Sequence, residues 1–215
     1  MAEFALARLD EMGEIDDGRC PFRPVRHHFG ITGFGVNAMV ARADGDRLLN
    51  EHSESEPESG EELYFVASGH ADFELDGASH DAPAGTFVHV RPGVSRTAFA
   101  RTAGTTVLAI GGAPEGRAYA PTGWEVFAPL MPLFESGSYE EGADRAEELL
   151  ANNPPYSGLL YNTACFESRA GRSEAALSHL RQAVELLPAL AELARDDEDL
   201  AALRHEAAFI EIVGS

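Results

Sequence analysis

The sequence predicts an α+β chain in two parts, an all-β antiparallel half followed by an α-helical half. Three observations predict it. Short runs rich in β-branched and aromatic residues, with turn signals roughly every 8–12 residues, fill positions 31–112 and have the spacing of a sandwich or barrel. Beyond Trp124, Ala, Leu and Glu dominate and apolar residues recur at helical spacing. A length of 215 residues is enough for one large domain or two small ones, each with its own core.

In chain order, residues 1–30 read as an extension that packs on the β half. Strands are expected at Val36–Ala41, Glu62–Ala67, Ala71–Leu75, Thr86–Val90, Thr97–Arg101 and Thr106–Ile110. Asp44-Gly45-Asp46, Asp76-Gly77, Pro83-Ala84-Gly85 and Pro92-Gly93 punctuate them. Asp76-Gly77 signals a tight hairpin, because Gly accepts the positive φ such a turn requires. Gly30, Gly33 and Gly35 lack phosphate-loop spacing and read as bulge or turn punctuation. Residues 113–123 read as a linker, and 124–215 as the helical part.

Composition narrows the function classes. Hydrophobic residues at 44% and charged residues at 24% are globular values and argue against wholesale disorder. With 16 basic against 36 acidic residues the net charge is −20, which repels phosphate backbones and anionic lipids. The longest strongly apolar stretch, Val107–Ala113, is far short of the roughly 20 residues a bilayer requires. Met1–Met12 lacks a basic start followed by an apolar run, so no secretory signal is expected. Two cysteines, Cys20 and Cys165, stand far apart without metal-type pairing, so a reduced, cytoplasmic protein is the expectation.

The helical half repeats itself. Gly137 and Gly171, Glu140 and Glu174, Ala143 and Leu177, Ala146 and Leu180, Leu150 and Val184, and Pro154 and Pro188 all stand 34 positions apart. That period, with Gly137-Ser-Tyr-Glu-Glu…Asn153-Pro154 and Gly171-Arg-Ser-Glu-Ala-Ala…Leu187-Pro188, resembles the tetratricopeptide (TPR) family. The resemblance implies antiparallel helical hairpins and a protein-interaction surface. The stretch from Asp196 to Phe209 looks like the terminal helix of such a stack. Cys165 falls at a small-residue core position.

The strand half carries a second resemblance. Glu62-Leu-Tyr-Phe-Val-Ala-Ser-Gly69 and Gly85-Thr-Phe-Val-His-Val-Arg-Pro-Gly93-Val-Ser-Arg96 are similar to parts of the two cupin motifs. The likeness implies a small antiparallel cupin-type barrel, often dimeric, with a pocket between the sheets. It also exposes departures. Where the pattern has a His-x-His pair, this chain has residues among Ser55, Glu56, Pro57 and Glu58, and the nearest upstream histidine is His52. Arg96 takes the second motif's histidine position, Ala100 its asparagine and Arg91 its proline, so of the usual metal ligands Glu62 alone remains. Arginine only donates and cannot coordinate a cation. The usual metal site is broken, and no cofactor is expected.

Two replacements are consistent with the residues. His52, Glu54, Glu62 and His89 offer imidazole and carboxylate ligands suited to a divalent iron, manganese or zinc, if the acidic loop folds back. Alternatively Arg96, which must be paired if buried, finds its partner in Glu62, either as a structural ion pair or to orient a ligand through its guanidinium fork. The ligand-binding set is then Arg96, Glu62, Tyr64 and His89. Arg23-Pro-Val-Arg26-His27-His28 either lines the pocket mouth or is simply exposed. No Ser/His/Asp grouping is legible around Ser68 or Ser95. The favoured reading is a non-catalytic small-molecule binder or sensor with a TPR-like protein-docking module, acting as a homodimer. Its rival is a metal-dependent cupin enzyme of oxygenase, isomerase or cyclase type with altered ligands.

Overall fold

Short strands whose buried positions alternate with more open ones set the architecture of the first half. The computed structural model describes residues 4–16, 21–53, 60–113, 119, 121 and 123–214. Two compact units result, residues 1–121 and 122–215.

In the first unit a 3-10 turn, Leu9–Glu11, and a short helix, Val25–Phe29 (α1), flank the two-residue strand Phe22–Arg23 (β1). Gly30, at φ 64°, caps α1 in the left-handed region. Then come Gly35–Val40 (β2), Arg47–His52 (β3), Glu62–Ser68 (β4), His70–Leu75 (β5), Ala78–Pro83 (β6), Phe87–Val90 (β7), Arg96–Ala100 (β8) and Thr106–Gly111 (β9). Five strands form one antiparallel sheet in the order β1-β2-β9-β4-β7, and four form another in the order β3-β8-β5-β6. Tyr64, Val66 and Val107 from the first sheet meet Leu48, Phe73 and Ala98 from the second in one buried core. Among the described residues no ladder closes the two sheets into a barrel.

Three strands are absent from the sequence reading, and each has a physical reason. β3 is broken by register shifts on both sides of Leu49, so its polar–apolar period is lost. β6 is an edge strand in which Ala82 alone is buried. β1 is too short to show a period. At the β5–β6 hairpin, Asp76 and Gly77 both take positive φ, 48° and 77°, as a primed turn demands.

The outer faces of the sheets differ. On the four-stranded sheet Asp72 stands directly opposite Asp81, a like-charge pair that would be unfavourable alone. Arg101 lies between them, bonded to Asp72 and 2.6 Å from Asp81. On the five-stranded sheet Phe65 stacks on Phe87 with ring centroids 4.5 Å apart.

The second unit is helical throughout: Gly123–Phe127 (α2), a 3-10 turn Ala128–Leu130, Met131–Glu135 (α3), Tyr139–Asn152 (α4), Ser157–Arg169 (α5), Ser173–Leu186 (α6) and Leu190–Asp196 (α7), then a 3-10 segment Glu198–Leu203 and Ala207–Val213 (α8). The element bounds repeat at the sequence offset: 123–135 becomes 157–169, and 139–152 becomes 173–186. Pro129 and Pro132, which lack a backbone N–H, divide the first of these stretches into pieces. Gly137 and Gly171 sit at φ 73° and 79°, and the residue after each bonds back to Leu133 and Glu167 respectively. The expected single terminal helix from Asp196 to Phe209 is not formed. Asp197 is extended and its side chain accepts from Asp199 N, which starts the 3-10 segment instead.

Candidate functional site

The polar cluster at one end of the sandwich grows from strand register. His52 and Arg96 are cross-strand partners on β3 and β8. Glu62 opens β4 in the other sheet, and period-two alternation points Glu62, Tyr64 and Val66 to the same face, with Tyr64 and Val66 in the core. The four polar side chains meet between the sheets.

They converge on one atom. Glu62 Oε2 accepts from Arg96 Nε at 2.9 Å, from Arg96 Nη2 at 2.5 Å and from the Tyr64 hydroxyl. Arg96 Nη1 donates to the Val94 carbonyl at 2.9 Å. The Arg96 side chain is wholly buried and Tyr64 is 1% exposed, whereas Glu62 and His52 keep 21% and 35% of their side chains open to solvent. His52 Nδ1 donates to the Asn50 carbonyl at 2.7 Å, and its Nε2 stands 3.6 Å from Glu62 Oε2.

The electrostatics follow. Burial pushes the Glu62 carboxyl up, but His52, the Tyr64 hydrogen bond and the Arg96 charge outweigh it and hold the group down to about 2. Burial and then the adjacent carboxylate push Tyr64 well above the ordinary phenol range, so it stays a donor. Arg96 loses some proton affinity to burial but gains more from Tyr64 and Glu62. His52 is raised by Glu62 against the effect of burial. The reason is directional: with Nδ1 committed to a carbonyl, neutral His52 would aim a lone pair at the carboxylate, and protonation removes that repulsion.

The structure thus brings together Arg96, Glu62, Tyr64 and His52, and it leaves His89 elsewhere. His89 pairs with Leu63, one position off the Glu62 row, so alternation turns it to the opposite face. There its Nε2 lies 3.3 Å from Glu61 Oε2, beside Arg91 at 3.8 Å from the same carboxylate. The expected His52, Glu62 and His89 metal set is therefore not assembled, and Glu54 lies outside the described residues. A metal does not fit here on the donors present: Arg96, which cannot ligate, already occupies Glu62 Oε2. Arg23 and Arg26 of the amino-terminal segment bond to the Met12 and Ile31 carbonyls. His28 is exposed.

Among the described residues one group of three metal-type ligands does come within 4.8 Å, Cys165, Asp197 and Asp199 in the helical unit. Tyr161 donates to Asp197 at 2.7 Å, and Arg169 pairs with Asp199 at 3.1 Å. Burial pushes the Cys165 thiol well above its usual range, so it remains protonated and suits a packed thiol better than a ligand. Sequence reasoning missed this cluster. It also missed the wholly buried Glu167, which faces His179 Nδ1 at 2.8 Å across α5 and α6.

No protein-family model matches the chain, and no curated protein matches it. Solved structures do resemble its strand half. A cupin protein from Bacteroides fragilis is 19% identical, covering 57% of this chain and 93% of its own, with a TM-score of 0.43. An RmlC-like cupin from Desulfovibrio desulfuricans is 25% identical over 52% of this chain and 98% of its own, with a TM-score of 0.41. Pac13, a nucleoside dehydratase from Streptomyces, is 17% identical over 52% of this chain and 82% of its own, with a TM-score of 0.38. The cupin and RmlC-like cupin structures among those that this chain resembles match little more than half of it.

Proposed function

We propose that this chain is a non-catalytic, small-molecule-binding or sensing protein of cupin type, with a TPR-type helical module that docks to a protein partner or stabilises a homodimer. The observation that carries the reading is the buried Arg96–Glu62 pair. It fixes a guanidinium where the motif resemblance would put a metal-binding histidine. A carboxyl held down to about 2 is a poor general base near neutrality, and a buried guanidinium is no proton donor. The half-open edge of Glu62 and His52 remains for a ligand. Support for the helical assignment is the 34-residue offset of the element bounds and the two left-handed glycines that obey it. Two repeats fall below the three or so that stand alone, so the module needs a packing partner, and a second copy supplies one. The buried free thiol of Cys165 suits a reducing, cytoplasmic setting.

The test is metal analysis of the full chain, purified without a histidine tag, with thermal melts in added Mn²⁺ or Zn²⁺. The binding reading expects substoichiometric metal and unchanged melts. About one equivalent of iron, manganese or zinc held at the strand half overturns it in favour of a metal-dependent cupin enzyme.

A further inference from the structure

The core of the strand half holds two buried acceptor oxygens that no described donor reaches. Asn37, 6% exposed, lies on β2 in the same ladder row as Ala109 and Tyr64, so it shares their inward face. Its Oδ1 is buried and accepts no hydrogen bond from any described residue. On β3, which approaches β2, the Oδ1 of Asn50 is in the same condition two residues before His52. Glu62 Oε2 takes the hydrogen bonds from Arg96 and Tyr64, and 21% of the Glu62 side chain stays open on the ligand side. A buried acceptor left unmade is destabilising, and native cores hold few of them. Two in one core call for an explanation.

The same rows hold the space. Glu62 pairs with Gly111, and Gly111 with Gly35, so the inward row next to Asn37 carries no side chain on β9 or β2. A Cβ added at Gly111 would meet no atom of a described residue within 4 Å. At Gly35 the reverse holds: a Cβ would stand 2.6 Å from the Tyr119 hydroxyl, so glycine there admits a phenol ring. Among the described residues the position over Gly111 is open, with Glu62 beside it on β4, Tyr119 over Gly35 on β2, and Asn37 one row deeper. Adjacent strands lie about 4.8 Å apart, so the backbones bounding the space are roughly 9–10 Å apart.

We infer that the ligand of this site is a small, uncharged, hydroxyl-rich molecule, of polyol or simple-sugar size, that lies over Gly111 and donates hydrogen bonds to the Glu62 carboxylate and to the Asn37 and Asn50 amides. The inference rests on the binding reading above and names its ligand class. Charge selects against the alternatives. Arg96 already balances Glu62, so a cation gains little. The Arg96 guanidinium is committed to Glu62 and Val94, so an anion finds no open cation to fork onto. Hydroxyl groups both donate and accept, and so satisfy either orientation of an Asn amide.

The experiment uses the full chain and three probe classes, read by thermal shift and calorimetry: myo-inositol and D-ribose, putrescine, and succinate or inorganic phosphate. The polyol class is expected to raise Tm and the charged classes to leave it unchanged. Gly111→Val, which fills the space, is expected to weaken the polyol interaction at least tenfold with an unaltered melt. Asn37→Leu is expected to abolish binding and raise the unliganded Tm by roughly 2–4 °C, because it removes an unsatisfied buried polar group. A preference for putrescine or for the anions overturns the ligand class and leaves the binding reading standing. Polyol shifts that survive both substitutions, or a lowered Tm for Asn37→Leu, overturn the location. If no probe of any class shifts the parent, the binding reading falls and this inference with it.

Discussion

Arg96 on one sheet donates twice to a single oxygen of Glu62 on the other, so one ion pair fastens the two layers at their polar end. With the guanidinium wholly buried, removing one partner strands the other in a desolvated place. Arg96→Ala is expected to cost about 3–5 kcal/mol in urea unfolding. Replacing both residues by leucine should recover most of that loss, because an apolar pair carries no desolvation penalty. If Arg96→Ala unfolds like the parent, the pair is not a fastening.

A metal test uses the same position. Arg96→His sets an imidazole beside Glu62 and His52, which gives the donor set that the parent lacks. Melts of this variant are expected to shift upward with Mn²⁺ or Zn²⁺ while the parent's do not. An equal response of the two proteins would sink the expectation.

Acid titration reports on Glu62. Its folded-state value, about 2, lies below its unfolded one, so its contribution to stability is present above roughly pH 4.5 and is lost as the pH falls toward 2. The loss is on the order of 3 kcal/mol at the acid end. Glu62→Gln should flatten that part of the stability–pH curve. An unchanged acid limb in this variant would assign the limb to other carboxylates.

The Glu167–His179 pair makes the opposite demand. The Glu167 carboxylate is wholly buried, and its hydrogen bond to His179 raises the imidazole against the effect of burial, with Glu147 adding to it. A raised histidine contributes stability fully below its unfolded value, near 6.5, and loses it as the pH rises through the folded one. The helical half is therefore expected to melt lower at pH 9 than at pH 6. His179→Ala should remove that dependence and cost about 3 kcal/mol, which circular dichroism at two pH values would measure.

Gly142 decides between two effects of known sign. In an exposed helix Gly→Ala stabilises by up to about 1 kcal/mol. Here a Cβ would lie 2.1 Å from the Phe166 ring, whose side chain is fully buried in the core. Overpacking typically costs about 1–3 kcal/mol, so Gly142→Ala should destabilise. A stabilised variant would mean that the ring moves aside freely.

What the sequence discloses depends on whether the signal is local. The runs around Tyr64, Phe73 and Val107 are rich in β-branched and aromatic residues between turn signals, and the helices at 139–152 and 173–186 share a period, so both are legible. The Glu62–Arg96 contact is legible as well, as opposite charges at positions where the motif resemblance implies metal ligands, although its role is not. Register is not local. Nothing in the run Phe87-Val88-His89-Val90 says that Val90 rather than His89 pairs with Glu62, and that one-residue difference decides which face the imidazole takes. Asn37 did carry a signal, a lone amide within Val36–Val40, but a polar residue in a strand reads as solvent-facing until the pairing is known. The bulges around Leu49 hid β3 in the same way.

The pairing of β2 with β9 has a kinetic meaning. Gly35 meets Gly111, so the second strand of the chain must wait for the last one before its backbone groups are satisfied. Long-range pairing of this kind folds slowly, whereas the helical half is built from neighbours and closes quickly. During synthesis the earlier-made half is thus the later to finish. Until residue 111 clears the ribosome, Val36–Val40 has only the two-residue β1 beside it and its other edge is open, and chaperone occupancy on stalled nascent chains should fall sharply at that length.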